Sequence, residues 1–315
     1  PLDRLLSLGR EDPDPSVRGR AIDTFGFTVD ETGQTPLSKL LQFVDDDAAT
    51  VREAAVHQLR FADSPDNVPH LVDALEDPAA SVRARAAWGL KVASFPGAVP
   101  ELVAAYPDDD ATVRENIVCA LQWIAGDSGR VDASTFCLLE ARTVPAVDGT
   151  GTRPYGPQET LELLSGALRD AEGTISWDAA YALAETEHLD AARALSDFAT
   201  DDDVPAELRV NGVYFLSSHR EYEVCVNAYR SALDDPEPAV RSKAVGIARG
   251  MNGDDTTQVL LDALVDESPL VRESAAESAR FYDSERVDEA LRDRLTTETD
   301  DRVVFAIRQA LGEWT

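Results

Sequence analysis

The chain has 315 residues, 43% of them apolar, enough to bury one large core or a long row of small ones. Its charge is lopsided: 59 acidic side chains stand against 29 basic ones, a formal charge of −30. That balance denies the molecule the basic footprint a phosphate backbone needs, so no nucleic acid is expected as a partner. No apolar run is long enough to span a bilayer, so no membrane insertion is expected either.

Read along the chain, one phrase recurs. It is DDAATVREAAVHQL at 46–59, DPAASVRARAAWGLKVA at 77–93 and DDDATVRENIVCAL at 108–121. The apolar residue before each arginine marks the register: Val17, Val51, Val82 and Val113, in steps of 34, 31 and 31. The register resumes at Leu208, Val240 and Val271, in steps of 32 and 31, and weaker copies begin at Ile175 and Val303. Each unit opens with a helical stretch such as NVPHLVDALED (67–77) or TTQVLLDALVDE (256–267), apolar at spacings of three and four. An Asp/Pro turn follows, then the marked helix. There the offsets 0, +4 and +8 are apolar or small (Val51, Ala55, Leu59; Val82, Ala86, Leu90; Val113, Ile117, Leu121), which is one buried stripe. A period near 31 with two helices per unit predicts an all-α solenoid of about nine helix pairs with no sheet.

The step from 113 to 175 is 62, twice 31, so one marked helix is expected to be missing between them. There stands TVPAVDGTGTRPYGP, residues 143–157, whose three prolines and three glycines forbid a helix. The expected organisation is one domain over 1–315: N-terminal repeats 1–142, an irregular loop 143–157 and C-terminal repeats 158–315. Long loops in compact repeats often carry function, and Arg153 and Tyr155 are this loop's contact candidates.

An aspartate precedes the arginine by six residues in seven units: Asp12/Arg18, Asp46/Arg52, Asp77/Arg83, Asp108/Arg114, Asp203/Arg209, Asp235/Arg241 and Asp266/Arg272. A carboxylate at the turn accepts backbone N–H groups of the next helix, and a guanidinium offers a planar fork to carboxylates and carbonyls. Stacking would order these groups into a structural ladder. Ser176 follows Asp170 where an arginine is due, and the last unit carries Val304.

This D-x5-R spacing within a 31-residue unit resembles HEAT repeats, and most of all the short subfamily named after phycobilisome lyases. The resemblance covers the chain except roughly 130–157 and implies a right-handed α-α superhelix. It implies little about function, since that family spans lyases, hydroxylases, repair enzymes and scaffolds. The composition resembles proteins of salt-accumulating archaea: three lysines (Lys39, Lys91, Lys243) against 26 arginines, and a dense carboxylate surface. An acidic protein with a dedicated basic partner is the alternative. The three cysteines (Cys119, Cys137, Cys225) form no CxxC and read as reduced thiols, which suits a cytoplasmic setting.

Motifs of chemistry are scarce. None of His57, His70, His188 and His219 is followed by Glu, so the His-Glu iron ligands of HEAT-like deoxyhypusine hydroxylases are missing. No helical zinc pair, phosphate loop or nucleophile elbow stands out, and no metal or cofactor is expected. What remains is a surface. The resemblance implies that the marked helices line a concave groove, into which offsets +2, +3 and +6 look. They bring Arg85, Trp88, Asn116, Trp177, Asp178, Tyr181, Asn211 and Tyr214 to that face. Aromatics with Arg and Asn are typical anchors, so the expected function is a non-enzymatic scaffold binding a protein segment. An adaptor in a taxis or motility complex is one setting consistent with the family. The alternative is a lyase-like or small-ligand enzyme in the same groove, with Asp178 as acid/base beside Tyr181 and Trp177.

Overall fold

The computed structural model describes residues 2–26, 37–60, 65–126, 142–147, 149–155, 158–186, 188–251, 256–282 and 284–313. Their contacts divide the chain into two units, Pro1–Ala182 and Leu183–Thr315. In the first, helices follow in pairs: α1 (Leu2–Glu11) and α2 (Pro15–Gly26), α3 (Leu37–Leu40) and α4 (Ala49–Leu59), α5 (Val68–Asp73) and α6 (Ala80–Ala93), α7 (Val99–Ala105) and α8 (Ala111–Gly126), α9 (Gln158–Ala167) and α10 (Gly173–Ala184), the last running through the unit boundary. In the second they are α11 (Leu189–Ala199) and α12 (Ala206–Phe215), α13 (Glu223–Leu233) and α14 (Pro238–Ile247), α15 (Thr256–Ala263) and α16 (Pro269–Ala279), α17 (Glu285–Leu295) and α18 (Asp301–Ala310). Within each unit the second helices stack in order, α2 on α4, α4 on α6 and α6 on α8, then α12 on α14, α14 on α16 and α16 on α18. The fold is an all-α solenoid.

The helices form for local reasons and stay for packing reasons. Several are too short to persist alone in water. Their buried stripes hold them: Val51, Ala55 and Leu59, Val82, Ala86 and Leu90, and Val113, Ile117 and Leu121 are all fully buried. Val17, the marker of the first repeat, departs from this and is exposed. The alanines let neighbouring backbones approach. A close case is Gly212 on α12, where an added Cβ would meet Phe198 Cδ1 at 2.9 Å and the backbone nitrogen of Ala199 at 3.2 Å.

The aspartate–arginine spacing works by reaching forward. Arg83 Nη1 donates to the carbonyl of Asp77, six residues back (2.9 Å), while Nε and Nη2 fork onto the carboxylate of Asp108 in the next repeat (2.6 and 2.9 Å). Asp108 also accepts the Asp110 N–H (2.9 Å) that opens α8. Arg52 repeats this on Asp77, and Arg241 on Asp266. Arg18 meets Asp46 at 2.8 Å, and its Nη1 donates to the carbonyl of Asp12. Arg209 departs from the expected pairing. It meets Asp202 (3.2 Å), not Asp203, because the turn ahead of α12 is longer and Asp201 is the residue that caps the N–H two positions on. Arg209 reaches Asp235 at 3.0 Å, and Arg272 forks onto Glu298, which also accepts from Arg294. Burial alone would raise the carboxylates of Asp46, Asp77, Asp170 and Asp266. The arginine and backbone hydrogen bonds outweigh it and hold them below the usual range. At Asp108 and Glu298 the arginine bond is itself the largest influence, in the same direction.

The middle of the chain corrects two expectations. Residues 142–155 are not a plain loop: β1 (Arg142–Pro145) pairs antiparallel with β2 (Thr152–Tyr155), Val144 opposite Arg153. Gly149 and Gly151 sit at φ +71° and +132°, conformations that side-chain-bearing residues rarely adopt, which explains the glycines of the turn. Each strand of a two-stranded hairpin has an unpaired edge, so Pro145 and Pro154 are tolerated. Nor does the hairpin stand in for a missing marked helix. Arg114 Nε meets Asp170 Oδ2 at 2.9 Å, the same rung that Arg83 makes with Asp108. Thus α9 and α10 take the next place in the ladder after α8, and the hairpin falls in the sequence between two consecutive rungs. The two units part just beyond Ser176, the ladder position that lacks its arginine.

Candidate functional site

The ladder runs through the turns, so its arginines are committed to structure. Another face of the second helices carries a different set of side chains. In the first unit these line two adjoining depressions of about 400 and 420 Å³ that share Glu53 and Arg85. Ser16, Gly19, Arg20 and Asp23 of α2 and Thr50, Glu53, Ala54 and His57 of α4 form one. Ala80, Ala84, Arg85 and Trp88 of α6, with Thr112 and Asn116 of α8, form most of the other. Three of the sequence-selected residues, Arg85, Trp88 and Asn116, therefore share one open trough.

Two groups at the end of α4 contact the Trp88 ring. The Arg60 guanidinium lies 3.6 Å from its ring centroid, and His57 stacks on it at 5.8 Å with the rings 12° apart. Arg85 Nε donates to Glu53 at 3.2 Å across the helix pair. Asn116 spends its amide on the carbonyl of Thr112, one turn back (2.9 Å). Burial, then Arg60 and Arg85, push His57 below its ordinary pKa, so it is neutral at pH 7.

Trp177, Asp178 and Tyr181 lie on α10. Trp177 is exposed, and Asp178 accepts the Cys119 thiol of α8 at 3.0 Å. Burial and that carboxylate push the thiol up to about 12, so it stays protonated and is no nucleophile. Asn211 and Tyr214 belong to the second unit. Tyr214 is exposed, faces the Lys243 ammonium at 5.2 Å and lines a separate depression of about 350 Å³. Arg153 and Tyr155 lie on β2.

Sequence reasoning passed over Trp123, which is half exposed with Lys91 5.1 Å from its ring. It also passed over the rule behind that contact. Arg60, Lys91 and Arg249, each nine residues beyond its marker, cover Trp88, Trp123 and Phe281 of the following second helix. A cation at +9 with an aromatic one unit later was the available signal.

Among the described residues no group of His, Cys, Asp and Glu could hold a metal ion, and no helix is long and apolar enough to cross a membrane. Among the described residues, each carboxylate that departs from its ordinary pKa departs downward, the direction that structural pairing gives.

A solenoid of helix pairs with an interior ladder and a side-chain-lined second-helix face defines a helical-repeat protein. Residues 2–91, 68–142 and 226–312 match the family model for HEAT repeats, well over half of the sequence, and the chain belongs to that family. Among solved structures it is similar to human deoxyhypusine hydroxylase in complex with glycerol, at 22% identity over 87% of this chain and 93% of that one, with a TM-score of 0.36. An engineered protein is similar at 17% identity over 99% and 98% of the two chains, with a TM-score of 0.47. No curated protein matches. Neither structural likeness carries an activity over to this chain.

Proposed function

We propose that the protein is a non-enzymatic interaction scaffold that holds a protein segment on its second-helix face. The observation that carries this reading is the open trough of the first unit, where Trp88, Arg85 and Asn116 stand over a floor of alanines. A broad trough with a fixed aromatic and a half-exposed arginine suits an extended or helical peptide, and Trp and Arg are the usual anchors of such contacts. Trp177, Asp178 and Tyr181 extend the proposed surface along the first unit, and Asn211 and Tyr214 offer a second contact on the other. Asp178 is engaged by a thiol, which speaks against its use as an acid or base.

The finer assignments belong to this proposal: the short phycobilisome-lyase-like type of repeat, an acidic surface adapted to high salt, a cytoplasmic setting and a partner in a taxis or motility complex. Affinity capture from a native high-salt lysate tests the function. The intact protein should retain partners that a Trp88→Ala/Tyr181→Ala/Tyr214→Ala variant loses. Equal capture by both would refute the proposal and direct attention to the hairpin with Arg153 and Tyr155.

A further inference from the structure

The depression between α2, α4 and α6 departs from the charge of the chain around it. Acids outnumber bases two to one overall, yet here Arg20 and Arg85 meet only Asp23 and Glu53, beside the neutral His57, with Asp110 in the adjoining depression. Both of these nearby carboxylates are already engaged. Glu53 accepts from Arg85 at 3.2 Å, and Asp23 accepts from Gln58 Nε2 at 3.1 Å, with His57 Nδ1 3.6 Å away. Arg20 is exposed and its guanidinium makes no ion pair among the described residues. The Arg60 guanidinium over Trp88 adds a further cation at the edge of the trough.

We infer that this depression receives an acidic side chain, or a chain-terminal carboxylate, of a partner segment whose apolar residues run on towards Trp88. The inference rests on the scaffold reading and names the chemistry of its partner. Arg20 of the first repeat and Arg85 of the third supply two planar forks to one depression, which match a carboxylate better than a point charge would. Arg85 has only a half-exposed pair to exchange, so recruiting it to a partner carboxylate sacrifices little. A basic segment finds no such place in this depression, because its carboxylates are occupied, although the rest of the acidic surface attracts it without specificity.

The test is selection of a displayed library of random linear peptides on the intact protein. Binding of the enriched peptides is then measured by fluorescence anisotropy. The net charge of the protein favours basic peptides, so enrichment of Asp- and Glu-bearing ones reports a local site and not the general field. Such peptides should bind roughly ten-fold more weakly to Arg20→Glu/Arg85→Glu and to Trp88→Ala, and less weakly to Arg20→Gln/Arg85→Gln, with unchanged circular dichroism in each variant. Enriched peptides that are neutral or basic yet weaken on Trp88→Ala overturn the acidic partner and leave the scaffold standing. Peptides that bind all variants alike, or no enrichment over a blank surface, overturn both.

Discussion

Replacing Arg83 by alanine tests the ladder and the assignment of helix faces at once. The Arg83 and Asp108 side chains are only 19% and 8% exposed. The substitution removes two charge-assisted bonds from Asp108 and one donor from the carbonyl of Asp77. Hydrogen bonds to charged groups contribute about 1.5–3 kcal/mol each, and stripping one partner from a buried pair costs about 3–5 kcal/mol. Asp108 keeps its bond from the Asp110 amide and some access to water, so the expected loss is about 2–5 kcal/mol. Arg85 stands two residues further along the same helix, on the trough side. Its pair with Glu53 is 43% and 29% exposed, and Arg85→Ala should therefore cost about 0–1 kcal/mol. Urea unfolding in molar KCl, followed by far-ultraviolet circular dichroism, measures both variants against the parent. Equal losses, or a larger loss for Arg85→Ala, would show that the two faces of α6 have been exchanged and would sink the ladder argument.

Four further outcomes are expected. The ladder carboxylates sit below their ordinary values of 3.8 for Asp and 4.5 for Glu, so their contribution is present above those values and is lost as pH falls through them; thermal midpoints should drop steeply below about pH 4. Tyr106 and Cys119 are pushed up to about 12, by burial first, so midpoints should fall once pH passes the ordinary values of 10.0 and 9.0; a flat acid limb would contradict the carboxylate pairing, and a flat alkaline limb the burial of Tyr106 and Cys119. If the carboxylate surface is an adaptation to salt, the thermal midpoint should rise steeply from low to molar KCl, whereas a flat response would favour a dedicated basic partner. Gly212→Ala should destabilise by about 1–3 kcal/mol, since the new methyl meets the backbone of α11 as well as a ring, and a neutral result would mean that α11 and α12 are less closely apposed.

What the chain determines by itself is local. Helical periodicity repeats every few residues, so the stripe of Val82, Ala86 and Leu90 and the 31-residue register are legible without any tertiary contact. The spacing of Asp77 and Arg83 is local as well, and so is half of its meaning, the carbonyl bond within one turn. The other half is not. Arg83 pairs with a carboxylate 25 residues on, a separation set by how one repeat stacks on the next. The length of the turn ahead of α12, which the repeat pattern did not reveal, chose Asp202 over Asp203 for Arg209. Stacking showed α8 and α10 to hold consecutive rungs, since Arg114 meets Asp170 across 56 positions that the periodicity had read as a broken repeat. The trough has the same origin. Arg85, Trp88 and Asn116 could be placed on a face from their offsets, but Arg60 over Trp88 and Cys119 on Asp178 arise between helices. Period assigns a residue to a side of its own helix; only the packing of neighbouring repeats decides what that side chain meets.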